Sequence, residues 1–101
     1  MREIILPKNL GMNGFSDQEI AKEDIIDISK LNEIKDYISY EIIPRTTINL
    51  NHSSYGLKHK CEKYIGKYVS NGQFIAAMIL LGHKYKQDKI NAFFYIRNIR
   101  N

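Results

Sequence analysis

The 101-residue chain holds one cysteine, Cys61, so no disulfide can form within it and a disulfide-stapled scaffold is excluded. It has no Cys-x-x-Cys pair and no His-x-x-x-His spacing, so His52, His59, Cys61 and His83 do not read as a metal site. No apolar run approaches the roughly 20 residues of a membrane-spanning helix. The opening stretch, Met1 to Pro7, is too short for a secretory leader, and the expected location is the cytoplasm. Internal repeats, low-complexity tracts and linkers are also missing, which makes 1–101 a single domain.

Acidic residues are scarce in one half only. Residues 1–44 carry five basic and nine acidic side chains, a net of −4. Residues 45–101 carry ten basic side chains against Glu62 and Asp88, a net of +8, which together give the +4 of the whole chain. Such a division fits two halves that meet different surroundings, or two halves that attract each other.

The stretch present in most concentrated form is Phe74 to Leu81, in which no residue is polar. Ser70 and Gln73 stand at capping-box spacing before it, and Gly82 stands where a left-handed stop belongs. The pattern predicts a central helix buried on most of its surface. Ahead of it, Ser53 and Ser54 cap a helix over Tyr55 to Ile65, with Leu57, Cys61, Tyr64 and Ile65 as its buried face and Gly66 as its stop.

Further upstream, Leu31, Ile34 and Ile38 mark one stripe of a helix that ends before Ile43-Pro44. Ser16 and Glu19 predict a short helix from Asp17 to about Asp24, and Ile25, Ile26 and Ile28 a brief extended piece. Arg2 to Leu6 reads as a short strand, Gly11 and Gly14 bracket a loop, and Arg45 to Leu50 reads as another strand. After Gly82, His83 to Gln87 and Ile90 to Ile96 read as a hairpin, with Phe94 and Ile96 on one face and Phe93, Tyr95 and Arg97 on the other. Residues 98–101 form the tail.

The chemistry-bearing feature is a basic helix. Lys60, Lys63 and Lys67 recur at three and four residues, with His59 beside Lys63, and Lys58 is placed to pair with Glu62. Arg45 precedes that helix, and Lys84 and Lys86 follow it, with Lys89, Arg97 and Arg100 beyond. Clustered cations are the electrostatic footprint of phosphate-backbone binding, and Tyr55, Tyr68 and Tyr85 can add stacking. The helix start at Ser53 and Ser54 adds N–H groups and the positive end of a dipole. The plainer alternative is a solvated face whose lysines only keep the protein soluble.

Helix, turn, helix, hairpin is the order of a winged helix-turn-helix. A recognition helix needs polar side chains to read base edges, however, and the second helix here offers only Asn71 and Gln73. Contact should then come from the first helix, its start or the hairpin, and mainly to phosphates. Ser53 or Ser54 with His59 lacks an acidic partner, and Asp24 with Asp27 or Glu33 with Asp36 read as surface charges, so no catalytic set and no cofactor is expected.

Arg45-x-Thr47, Ser53-Ser54-Tyr55-Gly56-Leu57-Lys58-His59, Tyr68-Val69-Ser70-Asn71-Gly72-x-Phe74-Ile75-x-Ala77 and Asn91-Ala92-x-Phe94 together carry a likeness. Over residues 45–96 the chain resembles small uncharacterised proteins of phages and other mobile elements; residues 1–44 do not share it. The resemblance implies a short accessory protein of a bacterial cytoplasm, either a DNA-binding regulator or an inhibitor of host defence such as an anti-CRISPR protein. It carries over no catalytic residue.

The expectation is an α+β domain: a helix–turn–helix pair with a buried central helix, backed by a small antiparallel sheet. Its expected role is non-enzymatic, binding nucleic acid or a nucleic-acid-binding surface through Arg45, Ser53, Ser54, Lys58, His59, Lys60, Lys63, Lys67, Lys84 and Lys86. The alternative is a protein inhibitor of a nucleic-acid-processing enzyme, acting by its acidic half as a mimic or by its basic face.

Overall fold

The computed structural model describes residues 6–20 and 25–97. A two-strand hairpin, β1 (Leu10–Gly11) and β2 (Gly14–Phe15), comes first. A 3-10 turn at Ile28–Lys30 leads into α1 (Leu31–Glu41), followed by β3 (Pro44–Ser53), α2 (Ser54–Ile65), α3 (Asn71–Leu80), β4 (Tyr85–Asp88) and β5 (Asn91–Ile96). The last three strands form an antiparallel sheet in the order β3–β5–β4. The fold is therefore α+β.

Helix α3 is the centre because almost every side it presents is apolar. Residues Asn71 to Ile79 are all buried. A buried Phe, Ile or Met contributes about 1.5–3 kcal/mol, so Phe74, Ile75 and Met78 dominate the core. Ser70 and Gln73 form the expected capping box. At the other end Gly82, at φ +86°, donates to Ile79, and His83 donates to Met78, the paired bonds of a Schellman stop. The ring of Phe74 meets Phe94 of β5 edge-on at 6.3 Å, which joins helix to sheet. The stripe Leu31, Ile34, Ile38 of α1 is buried against this core, together with Tyr37.

Three expectations are corrected. Residues 17–20 are not helical: the Ile20 N–H donates to Lys8 and the Ser16 hydroxyl to Gln18, so neither is free to start a helix. Residues 21–24 and the strand residues 2–5 lie outside the described residues, as does the tail 98–101. Gly11 and Gly14 do bracket a tight turn, as expected, and pair across it. Ile28 opens the 3-10 turn and is exposed, as is Ile25, while Ile26 enters the core. On α2 the buried stripe is Leu57, Lys58 and Cys61; Tyr64 is exposed and instead packs its ring against Tyr37 at 5.2 Å.

The strand expected at Arg45 to Leu50 extends to Ser53, its pairing with β5 broken by register shifts. Arg45 holds that irregular stretch, its guanidinium donating to the carbonyls of Thr47 at 2.9 Å and Ile48 at 3.0 Å.

Candidate nucleic-acid interface

The start of α2 is built into the sheet. Ser53 caps the helix by accepting the Gly56 N–H. The Ser54 hydroxyl is buried and accepts the Ala92 N–H of β5 at 3.0 Å, so Ser54 serves as a joint between helix and strand.

One turn on, Lys58 is only 6% exposed. Its ammonium lies 5.2 Å from the Tyr55 ring centre and 5.0 Å from that of Tyr68, and it pairs with Glu62. Lys30 approaches Tyr68 from α1's side, donating to the Tyr68 carbonyl at 2.8 Å. His59 meets Tyr55 edge-on at 4.6 Å. The lysines of α2, and Lys67 just past its Gly66 stop, thus divide. Lys58 is enclosed and neutralised, Lys67 bridges to Glu33 of α1 at 2.9 Å, Lys60 is half-buried, and Lys63 is exposed. Arg45 spends two of its donors on its own strand. The Glu33–Lys67 bridge shows that the acidic and basic halves do attract each other at one point.

A second cationic group sits on the hairpin. Lys84, Lys86, Lys89 and Arg97 are exposed, and among the described residues none of them forms an ion pair. The alternation in β5 turns Ala92, Phe94 and Ile96 inward and Phe93 and Tyr95 to the outer face. Of the two phenylalanines, Phe94 packs on the central helix and Phe93 lies on the opposite face, the split that the alternation predicts. Lys86 stands opposite Phe93 in the ladder, and the Lys84 ammonium lies 5.2 Å over the Tyr95 ring. A depression of about 180 Å³ opens beside Phe93, lined by Leu50, Lys86, Gln87 and Asp88. The residues that sequence reasoning passed over as candidate contacts are therefore Phe93, Tyr95 and Leu50. The period-two pattern of 91–96 already separated the two faces.

Helix α3 presents nothing polar to a groove. Asn71 is buried, its side chain donating to Asn91, Ile90 and Asn13, and the Gly72 N–H donates to Met12 at 3.0 Å. Its polar N-terminus is thus covered by the β1–β2 hairpin.

Burial alters three titrating groups. The Cys61 thiol is pushed up to about 12, first by desolvation and then by Glu62, which keeps it protonated and unreactive. Tyr37 is likewise raised to about 12 by desolvation, with Cys61, Glu41 and Tyr64 adding to it. His83 is lowered by desolvation alone. Among the described residues no three His, Cys, Asp or Glu side chains converge as metal ligands, and no helix is long and apolar enough to cross a membrane. No protein-family profile, curated protein or solved structure matches the chain.

Proposed function

We propose that this protein is a non-enzymatic nucleic-acid-binding accessory protein, contacting the phosphate backbone through Lys63 and the hairpin cations Lys84, Lys86, Lys89 and Arg97. The observation that carries the reading is the contrast between these exposed cations, which form no ion pair among the described residues, and Lys58 and Lys67, which are neutralised by carboxylates. Exposed ammonium groups attract phosphates and release counterions on binding. With α3 enclosed, base-edge reading in a major groove has no side chain to perform it, so low sequence specificity follows. The cytoplasm of a phage-bearing bacterium, implied by the resemblance, is part of the same proposal.

The test is a fluorescence-anisotropy titration of a labelled oligonucleotide at two salt concentrations. Affinity should fall steeply with salt, and each cation-to-glutamate change at Lys63 or Lys86 should weaken binding and reduce the salt slope by about 1. Absence of binding at low salt refutes the reading. Capture of a defence nuclease in its place would support the inhibitor alternative.

A further inference from the structure

We propose that the outer face of the β3–β5–β4 sheet is a stacking platform for unpaired bases of a single-stranded nucleic acid, with Phe93 and Tyr95 as the rings and Lys84 and Lys86 as the counter-charges. This rests on the nucleic-acid reading above and narrows it to one substrate class.

The face has the two ingredients that single-strand binding requires, π-surfaces for bases and cations for the backbone beside them. Phe93 and Tyr95 lie on the central strand, two residues apart, both turned away from the core. Each has a lysine as its neighbour, Lys86 of β4 opposite Phe93 and Lys84, just before β4, over Tyr95. Leu50 of β3 lines the depression beside Phe93 and is 66% exposed, an apolar side chain left in water. Gln87 and Asp88 on the same rim offer hydrogen-bond partners to a base edge.

Spacing selects the single strand. Two residues along a strand span about 6.6 Å. Neighbouring nucleotides in a duplex strand rise only about 3.4 Å. Consecutive bases can therefore reach both rings only when they are pulled apart, which an extended single strand permits and a stacked duplex forbids. A duplex would also offer the sheet its phosphates alone, leaving Phe93 and Leu50 without a partner.

The experiment compares a short fluorescein-labelled oligonucleotide, single-stranded or annealed to its complement, against the full chain and the variants Phe93→Ala, Leu50→Asp and, as a control on exposed Tyr40 of α1, Tyr40→Ala. The single strand should bind more tightly than the duplex. Phe93→Ala should weaken single-strand binding by about 5- to 150-fold and leave duplex binding within about twofold. Leu50→Asp should also selectively weaken single-strand binding; its position is exposed, so it carries the test if Phe93→Ala fails to fold by circular dichroism. Tyr40→Ala should change neither. Binding that favours the duplex, or that ignores Phe93→Ala and Leu50→Asp, overturns the platform while leaving the backbone-binding reading intact. Binding to neither form at low salt overturns both.

Discussion

The side-chain amide of Asn71 donates to the side-chain oxygen of Asn91 at 2.9 Å. The same nitrogen lies 3.2 Å from the Ile90 carbonyl and 3.3 Å from that of Asn13. One buried donor thus ties the first turn of α3 to the start of β5 and to the N-terminal hairpin. Asn71→Ala leaves these acceptors without it and should cost about 1–3 kcal/mol. At roughly 4–8 °C per kcal/mol for a domain of this size, the loss is readable as a lowered Tm in a thermal melt. A Tm equal to that of the parent would remove this joint from the account.

Gly72 is helical, and its importance is room rather than backbone freedom. A Cβ there would stand 1.8 Å from the Gly11 carbonyl oxygen, an impossible contact. Gly72→Ala should therefore lift the β1–β2 hairpin off α3, at a cost of at least about 1–3 kcal/mol. Hydrogen exchange should show the Gly72 amide, now bonded to Met12, losing protection, while the amides of α1 keep theirs. Unchanged exchange at Gly72 would contradict the packing.

Lys58 and Lys63 make opposite predictions although both are lysines of one helix. Lys58→Glu sets a second carboxylate against Glu62 and removes the cation from between Tyr55 and Tyr68, so the Tm should fall. Lys63→Glu changes an exposed residue and should shift stability by no more than about 0.5 kcal/mol while lowering nucleic-acid affinity. Lys67→Ala breaks an exposed bridge to Glu33 and should cost about 1 kcal/mol or less. Parallel melts of the three variants check the ordering.

The pH dependence follows from the buried groups. Cys61 and Tyr37 have folded pKa values of about 12, above their ordinary 9.0 and 10.0. The folded state holds protons that the unfolded chain would release, so this stabilisation is complete below pH 9.0 and is lost as pH rises toward about 12. His83 is lowered from 6.5, so the unfolded chain gains a proton that the folded state resists, and stability falls as pH drops below 6.5. Urea midpoints measured across pH should peak between 6.5 and 9.0. A midpoint still rising above pH 10 would contradict the burial of Tyr37 and Cys61.

Local signals carried most of the elements. The capping box at Ser70 and Gln73, the Gly82 stop and the stripe of α1 all rest on contacts within a few residues, and periodicity reports such contacts. The Ser16–Glu19 pattern failed because the N–H that a helix would use goes to Lys8, and no local rule contains that partner. The candidate site showed in the sequence as a run of cations, without the contacts that separate them. The Lys58–Glu62 pair was readable from its spacing of four, but the enclosure of Lys58 against Tyr68 and the bridge from Lys67 to Glu33 arrive only with the packing.

By itself the sequence determined the buried helix, the hairpin with its two faces and the cationic second half, because hydrophobic period, helix caps and charge are properties of the covalent chain. Tertiary structure alone decided that β5 lies between β3 and β4, that a glycine hairpin closes over Asn71 and Gly72, and which cations face water. The closure over Asn71 depends on partners 19 and 58 residues away, Ile90 and Asn13, and only the folded chain brings such groups within hydrogen-bonding distance.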